Sequence, residues 1–224
     1  VIITQTQCDV CAVSLVDVEG AVCATLGSQP RIVTLKPNVL DDIFADIERV
    51  ADALGVRERG VDITTALRRR MADIERRAAT AGERPTVACI EWIEPLMAAG
   101  NWMPELVDKA GGISVVGSAG EHAPWLDWGD LATLDPDVII VLPCGFNIER
   151  TRREIKSLTT KLEWLKLRAV RGRRVYLADG NQFFNRPGPR VVEALEIMAE
   201  MLHPGLFKVV HEGIGWQLLF EEEE

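Results

Sequence analysis

The chain has one tyrosine and three histidines in 224 residues, and no uninterrupted apolar run approaches the roughly 18 residues of a membrane-spanning helix. It lacks the GxSxG, GxGxxG, P-loop and HExxH signatures, so nothing in it announces a serine hydrolase, a dinucleotide or nucleotide triphosphate site, or a zinc protease. It also lacks an excess of base. Twenty-five Lys and Arg stand against 34 Asp and Glu, a net charge of −9, so it gains no counterion-release affinity for nucleic acid. Four of those negative charges form the run at residues 221–224, a solvated tail. A composition of 47% hydrophobic and 26% charged residues is that of an ordinary globular chain. At roughly 150 residues per domain the length gives one to two domains.

Cysteine is present but odd in number: Cys8, Cys11, Cys23, Cys89 and Cys144 cannot all pair within the chain. Cys8-Asp9-Val10-Cys11 follows a strand-like start, where a helix N-terminus would stabilise a thiolate. A tetrahedral zinc site would need two further ligands, and no second CxxC or HxxxH is present. The motif stays open between a disulfide, free thiols, a thiol touching a ligand, and a metal.

Residues 2–4 end a strand and residues 31–35 make another. Val39, Leu40, Ile43, Phe44, Ile47, Val50 and Leu54 then recur at helical spacing up to Gly55, with Asn38 as the expected N-cap and Asp41 and Asp42 in the first turn. A second helix carries one narrow stripe, Ile63, Leu67, Met71, Ile74 and Ala78, between faces crowded with charge. That pattern leaves two readings open over residues 61–81, a plain surface helix and a strut about 30 Å long. From residue 84 strands and helices alternate: strands at 86–90, 113–116, 137–142 and 174–178, helices at 104–110, 149–158, 162–170 and 191–202. This alternation predicts an open, mostly parallel α/β sheet.

Ligands of such sheets sit beyond the carboxyl ends of the strands. The segments falling there are Gln5-Thr6-Gln7-Cys8, Glu91-Trp92-Ile93-Glu94-Pro95, Pro143-Cys144-Gly145-Phe146-Asn147, and residues 179–189, which include Phe184-Asn185-Arg186. They carry aromatic, amide and thiol groups where plain connections carry small turn residues. Trp92, Trp102, Trp125 and Trp128 lie within 37 residues, mostly in expected loops. Together these predict a cleft for a large ligand with flat faces and amide edges. Glu91 and Glu94 are a conceivable acid/base pair, although carboxylates at a strand end more often bind loop amides.

Ile2-Ile3-Thr4-Gln5-Thr6-Gln7-Cys8-Asp9-Val10-Cys11, Glu91-Trp92-Ile93-Glu94-Pro95-Leu96-Met97, Asp135-Pro136-Asp137-Val138-Ile139-Ile140 and Phe184-Asn185-Arg186-Pro187-Gly188-Pro189-Arg190 together resemble the cobalamin-binding branch of the periplasmic substrate-binding proteins of ABC importers, the Fe/B12 (helical-backbone) class. The resemblance implies two Rossmann-like α/β lobes bridged by one long helix, with a corrinoid held in the cleft between them and delivered to an importer permease. It assigns residues 1–36 to the end of a first lobe whose beginning is absent, 37–83 to a helical connection, 84–210 to the second lobe and 211–224 to a tail. It implies an extracytoplasmic location, no catalysis, no metal held by the protein and no cofactor beyond the ligand. The cleft residues it implies are Gln5, Cys8, Trp92, Glu94, Trp102, Trp125, Cys144, Phe146, Phe184, Asn185 and Arg186. Aromatics would face the corrin, while Gln5, Asn185 and Arg186 would meet its amide rim or nucleotide phosphate. Glu19, Glu149 and Glu193 are candidates for docking the permease. The Cys-Asp-Val-Cys element is not typical of the better-known vitamin B12 carriers. A ferric siderophore or haem is the alternative ligand, and thiol chemistry at Cys8 or Cys11 is the alternative from another class.

Overall fold

The computed structural model describes residues 1–6, 16–18, 20–21 and 31–220, in two compact units, Val1–Arg69 and Arg70–Glu224. Cys8, Cys11 and Glu19 lie outside the described residues.

In the first unit β1 (Ile2–Gln5) pairs in parallel with β2 (Ile32–Leu35), from Ile2 opposite Ile32 to Gln5 opposite Leu35. Helix α1 (Leu40–Ala53) buries Leu40, Ile43 and Phe44 of the expected stripe together with Asp46 and Ala51, while the expected Leu54 is exposed. Its N-cap is Val39, not Asn38. The Asp42 carboxylate reaches back to accept from the N–H groups of Asn38 (2.9 Å) and Val39 (3.0 Å), so the first turn is satisfied from inside the helix. Helix α2 (Arg57–Ala78) begins in this unit. Gly60 allows its close approach to α1, since a Cβ there would stand 2.4 Å from that of Ala51. The buried stripe runs through Thr64, Met71, Ile74 and Ala78, and the expected Ile63 is exposed. Thr64 takes the inward position because its hydroxyl donates to Glu48 at 2.7 Å.

The second unit is built on one sheet in the order β4 (Met97–Ala98), β3 (Thr86–Trp92), β6 (Val138–Val141), β7 (Val175–Ala178), β8 (Trp216–Leu218), with β5 (Ile113–Ser114) alongside the start of β3. Strands β3, β6 and β7 run parallel, as their continuous apolar runs predict. The short β4 turns back antiparallel on the end of β3. Alternate residues Ala88, Ile90, Ile139, Val141, Val175 and Leu177 join one core with the helical segments α5 (Ile148–Glu154), α6 (Lys156–Thr159), α7 (Leu162–Lys166) and α8 (Arg168–Arg171). The remaining helices are α3 (Met103–Lys109), α4 (Trp128–Leu134) and the almost wholly buried α9 (Val191–Leu202), which packs on α3.

Two expected helices are each broken in two. The second breaks at Leu167, whose ψ of 139° is extended and whose side chain is buried.

Residues 211–220 are not a tail. Trp216–Leu218 form β8, antiparallel to β7, and Leu219 and Phe220 pack against the core. The buried Glu200 carboxylate of α9 fixes this segment. It accepts from the His211 backbone N–H (3.1 Å) and Trp216 Nε1–H (3.1 Å), and pairs with His211 Nδ1 at 2.7 Å. Three residues flanked by Gly213 and Gly215 are too short to show a period in sequence.

Candidate functional site

Because β3, β6 and β7 are parallel, the loops that follow them leave the same edge of the sheet. They are cross-linked by backbone bonds. Leu142 N–H donates to Ile90 O (2.9 Å), Cys144 N–H to Glu91 O (3.2 Å) and Asn181 N–H to Phe146 O (3.0 Å). Gly180 makes the last junction feasible, since a Cβ there would stand 2.2 Å from Pro143 O. The loop after β7 is a π-helical turn, Gly180–Phe184, capped by Asp179, which accepts from Gln182 N–H at 2.7 Å.

On this edge Trp92 is half-buried at the end of β3. Its Nε1–H donates to Glu94 O (3.0 Å) and its ring lies tilted at 59° against Phe146, centroids 5.3 Å apart. Phe146 is only 7% exposed although Gly145 and Asn147 on either side are exposed, and the Arg150 guanidinium sits 3.7 Å from its centroid. Cys144 is exposed beside them. Trp125, 70% exposed, bridges to Met97 of β4 and so flanks the same hairpin, whose turn carries the exposed Glu94.

A cavity of about 460 Å³ opens in the loop after β7, lined by Asn181, Gln182, Arg190 and the 186–189 turn. Arg186 is exposed and donates through Nε and Nη2 to the carbonyl (2.9 Å) and side-chain oxygen (3.0 Å) of Asn181. Asn185 anchors the turn by donating to Leu142 O at 3.0 Å. Two amides and two guanidiniums facing one cavity can bind amide, carboxylate or phosphate groups.

The structure thus gathers Trp92, Glu94, Trp125, Cys144, Phe146, Asn185 and Arg186 around one end of the sheet. Two expected cleft residues are interior. Trp102 is 5% exposed and donates Nε1–H to Phe184 O at 3.2 Å, and Phe184 itself is 0% exposed. Both seal the loop onto the sheet, and neither offers a face to a ligand. Gln5, half-buried at the end of β1, belongs to the first unit.

Asn181, Gln182, Arg190 and Arg150 are absent from the expected cleft set, although Asn181 and Gln182 fall in the 179–189 segment beyond the end of β7. The first two had a visible signal, an amide pair directly after an apolar strand. Arg150 had none, because its value lies in the Phe146 ring four residues earlier. The docking candidates Glu149 and Glu193 lie in the first turns of α5 and α9, and Glu149 is paired with Arg153 at 2.8 Å.

Burial raises the Glu91 carboxyl above the ordinary range, against the opposing Gly100 N–H and His122, so the floor of the site disfavours a bare negative charge. Burial, helped by Glu91, pushes the Cys89 thiol up to about 12, which leaves it inert. Among the described residues no three His, Cys, Asp or Glu side chains cluster as a metal site, and no helix is long and apolar enough to cross a membrane.

The chain spans about half the length of a curated relative, an uncharacterized ABC transporter substrate-binding lipoprotein of Bacillus subtilis. The two are 23% identical over 174 residues, 75% of this chain and 52% of that one. Among solved structures, the fold is similar to an ABC transporter substrate-binding protein from Listeria monocytogenes (TM-score 0.74, 18% identity, covering 90% of this chain and 76% of that one). It is similar also to periplasmic haem-binding proteins from Pseudomonas aeruginosa (0.72, 19%, 93% and 73%) and from Roseiflexus (0.73, 21%, 91% and 75%). Residues 17–181, well over half of the chain, match the family described as periplasmic binding protein, and the chain belongs to that family.

Proposed function

We propose that the chain is the ligand-capturing part of an extracytoplasmic substrate-binding protein that serves an ABC importer permease, with a cobalamin-like corrinoid as its ligand and no turnover. The observation that carries this reading is the pairing of a half-exposed, anchored Trp92 with the cavity of about 460 Å³ that offers Asn181, Gln182, Arg186 and Arg190. The Asn181-to-Phe146 hydrogen bond joins the two features. A corrinoid needs such a pairing: a flat apolar face for the ring, and amide and guanidinium groups for its amide rim and nucleotide phosphate.

Haem is the second reading. Relatives of similar fold, such as those from Pseudomonas aeruginosa and Roseiflexus, are described as haem-binding. The exposed His122, near Glu91, and the exposed Cys144 are potential axial donors. Tyr176, the one tyrosine, is buried in β7 and would not serve.

Isothermal titration with cyanocobalamin and, separately, with haemin tests both readings. The expected result is saturable binding of cyanocobalamin at micromolar protein, weakened at least tenfold by Trp92→Ala, the effect of losing a central aromatic anchor worth about 2 kcal/mol or more. Binding of haemin alone would transfer the site to the second reading, and binding of neither would overturn both.

A further inference from the structure

We infer that Arg150 is a positioning residue for ligand binding: its guanidinium braces Phe146, and Phe146 in turn sets the orientation of the Trp92 face on which the ligand stacks. The inference rests on the functional reading above for the identity of the ligand, but its geometry is independent of that identity. The guanidinium carbon lies 3.7 Å from the Phe146 centroid, nearer than the comparable contacts of Arg68 on Phe44 (4.3 Å) and Arg77 on Phe207 (4.9 Å). The same Phe146 ring meets Trp92 at 5.3 Å. The Phe146 carbonyl accepts from Asn181, so a shift of this residue would reach the cavity loop as well.

The local charges give a second reason. Arg150 lies in the first turn of α5, where its N–H donates to the capping Asn147 side chain at 2.9 Å. A cation is out of place at the positive end of a helix. Other arginines of the chain are matched to carboxylates: Arg70 to Glu196, Arg84 to Asp108, Arg168 to Asp135 and Asp137. Among the described residues Arg150 has no such ion pair, and the quadrupole of the Phe146 face is what it meets. The flanking acid Glu149 is engaged by Arg153. A ring trapped in this way keeps one orientation in the free protein, so a flat ligand meets a platform already set.

The test uses Arg150→Ala, Arg150→Met and Arg150→Lys in the intact chain. The readouts are the Kd for cyanocobalamin, the Tm, and the Trp92 band in near-ultraviolet circular dichroism of the free protein, identified by difference from Trp92→Phe. Arg150→Ala and Arg150→Met are expected to weaken binding roughly two- to fivefold, with an unchanged Tm and a diminished Trp92 band, and Arg150→Lys to recover part of both. In a Phe146→Leu background Arg150→Ala should then add nothing. An unchanged Trp92 band and unchanged Kd in Arg150→Ala would overturn the inference, as would a full additional effect in the Phe146→Leu background. Failure of the wild type to bind cyanocobalamin or haemin would overturn the functional reading instead. The positioning of Trp92 would then be decided by the band alone, standing if Arg150→Ala removes it and falling if it does not.

Discussion

Asp137 ties the start of β3 to the start of α8 through one side chain. Its carboxylate accepts from Thr86 N–H (2.9 Å), Thr86 Oγ1–H (2.7 Å) and the Arg168 guanidinium (2.6 Å), while its own N–H donates to Thr86 Oγ1 at 2.9 Å. Partial burial by itself would raise its pKa. The Thr86 hydrogen bonds, with Arg168 and Arg174, outweigh that effect and hold it below the ordinary value of 3.8. A carboxyl with a depressed folded pKa contributes stability that is complete above its unfolded pKa and is lost as pH falls through the folded one. Asp137→Asn should therefore cost about 1–3 kcal/mol at pH 7, from lost charge-assisted bonds. The gap between mutant and wild type should shrink as the pH is taken below 3.8. Urea midpoints of both proteins at neutral and acid pH measure it, and an equal gap at the two would show that the carboxylate charge is not the stabilising feature. The Asp-Pro-Asp stretch was visible in sequence, but this network was not, because its partners lie 31 and 51 residues away. Trp102 and Phe184 mark the opposite limit. An aromatic in a loop reads as a ligand contact, and only the hydrogen bond between them shows that one caps the other in the interior.

At the scale of elements, legibility followed length and periodicity. Helices α1 and α9 and strands β3, β6 and β7 were readable within a few residues, because each repeats its apolar pattern long enough to define a face. The converging strand-end segments were readable from the parallel-sheet rule alone. Strand β8 was not, since three residues define no period and its anchor is a side chain on α9. Trp216 tests that anchor. It is buried, lies edge-on to Tyr176 at 5.4 Å and donates to Glu200 at 3.1 Å. Trp216→Ala should destabilise the protein by about 3–5 kcal/mol through the cavity it leaves. Trp216→Phe keeps a ring and loses only the donor to the buried carboxylate, and should cost about 1–3 kcal/mol. Were residues 211–220 a peripheral tail, neither substitution would move the urea midpoint by a measurable amount.

At the scale of the molecule the two units differ in how much sheet each can bury. In the first, the described sheet has only β1 and β2, and Ile3 is exposed within it. In the second, every residue of β6 and β7 is buried, with neighbouring strands on either side. A two-stranded ladder is marginal by itself, and backbone bonds open with a free energy that tracks the apolar packing around them. Helix α2 belongs to both units, and its buried Met71, Ile74 and Ala78 all fall in the second, so its C-terminal half should share the stability of that unit. Native-state hydrogen exchange should then show a gradient. Amides of Val138–Val141 and Val175–Ala178 are expected to exchange through global opening, at least about a hundredfold more slowly than those of Ile2–Gln5, a difference of roughly 2.7 kcal/mol in opening free energy. Equal protection in β1 and β6 would mean that the first unit is stabilised as strongly as the second, and the view of one robust α/β lobe joined to a weaker partner would have to be abandoned.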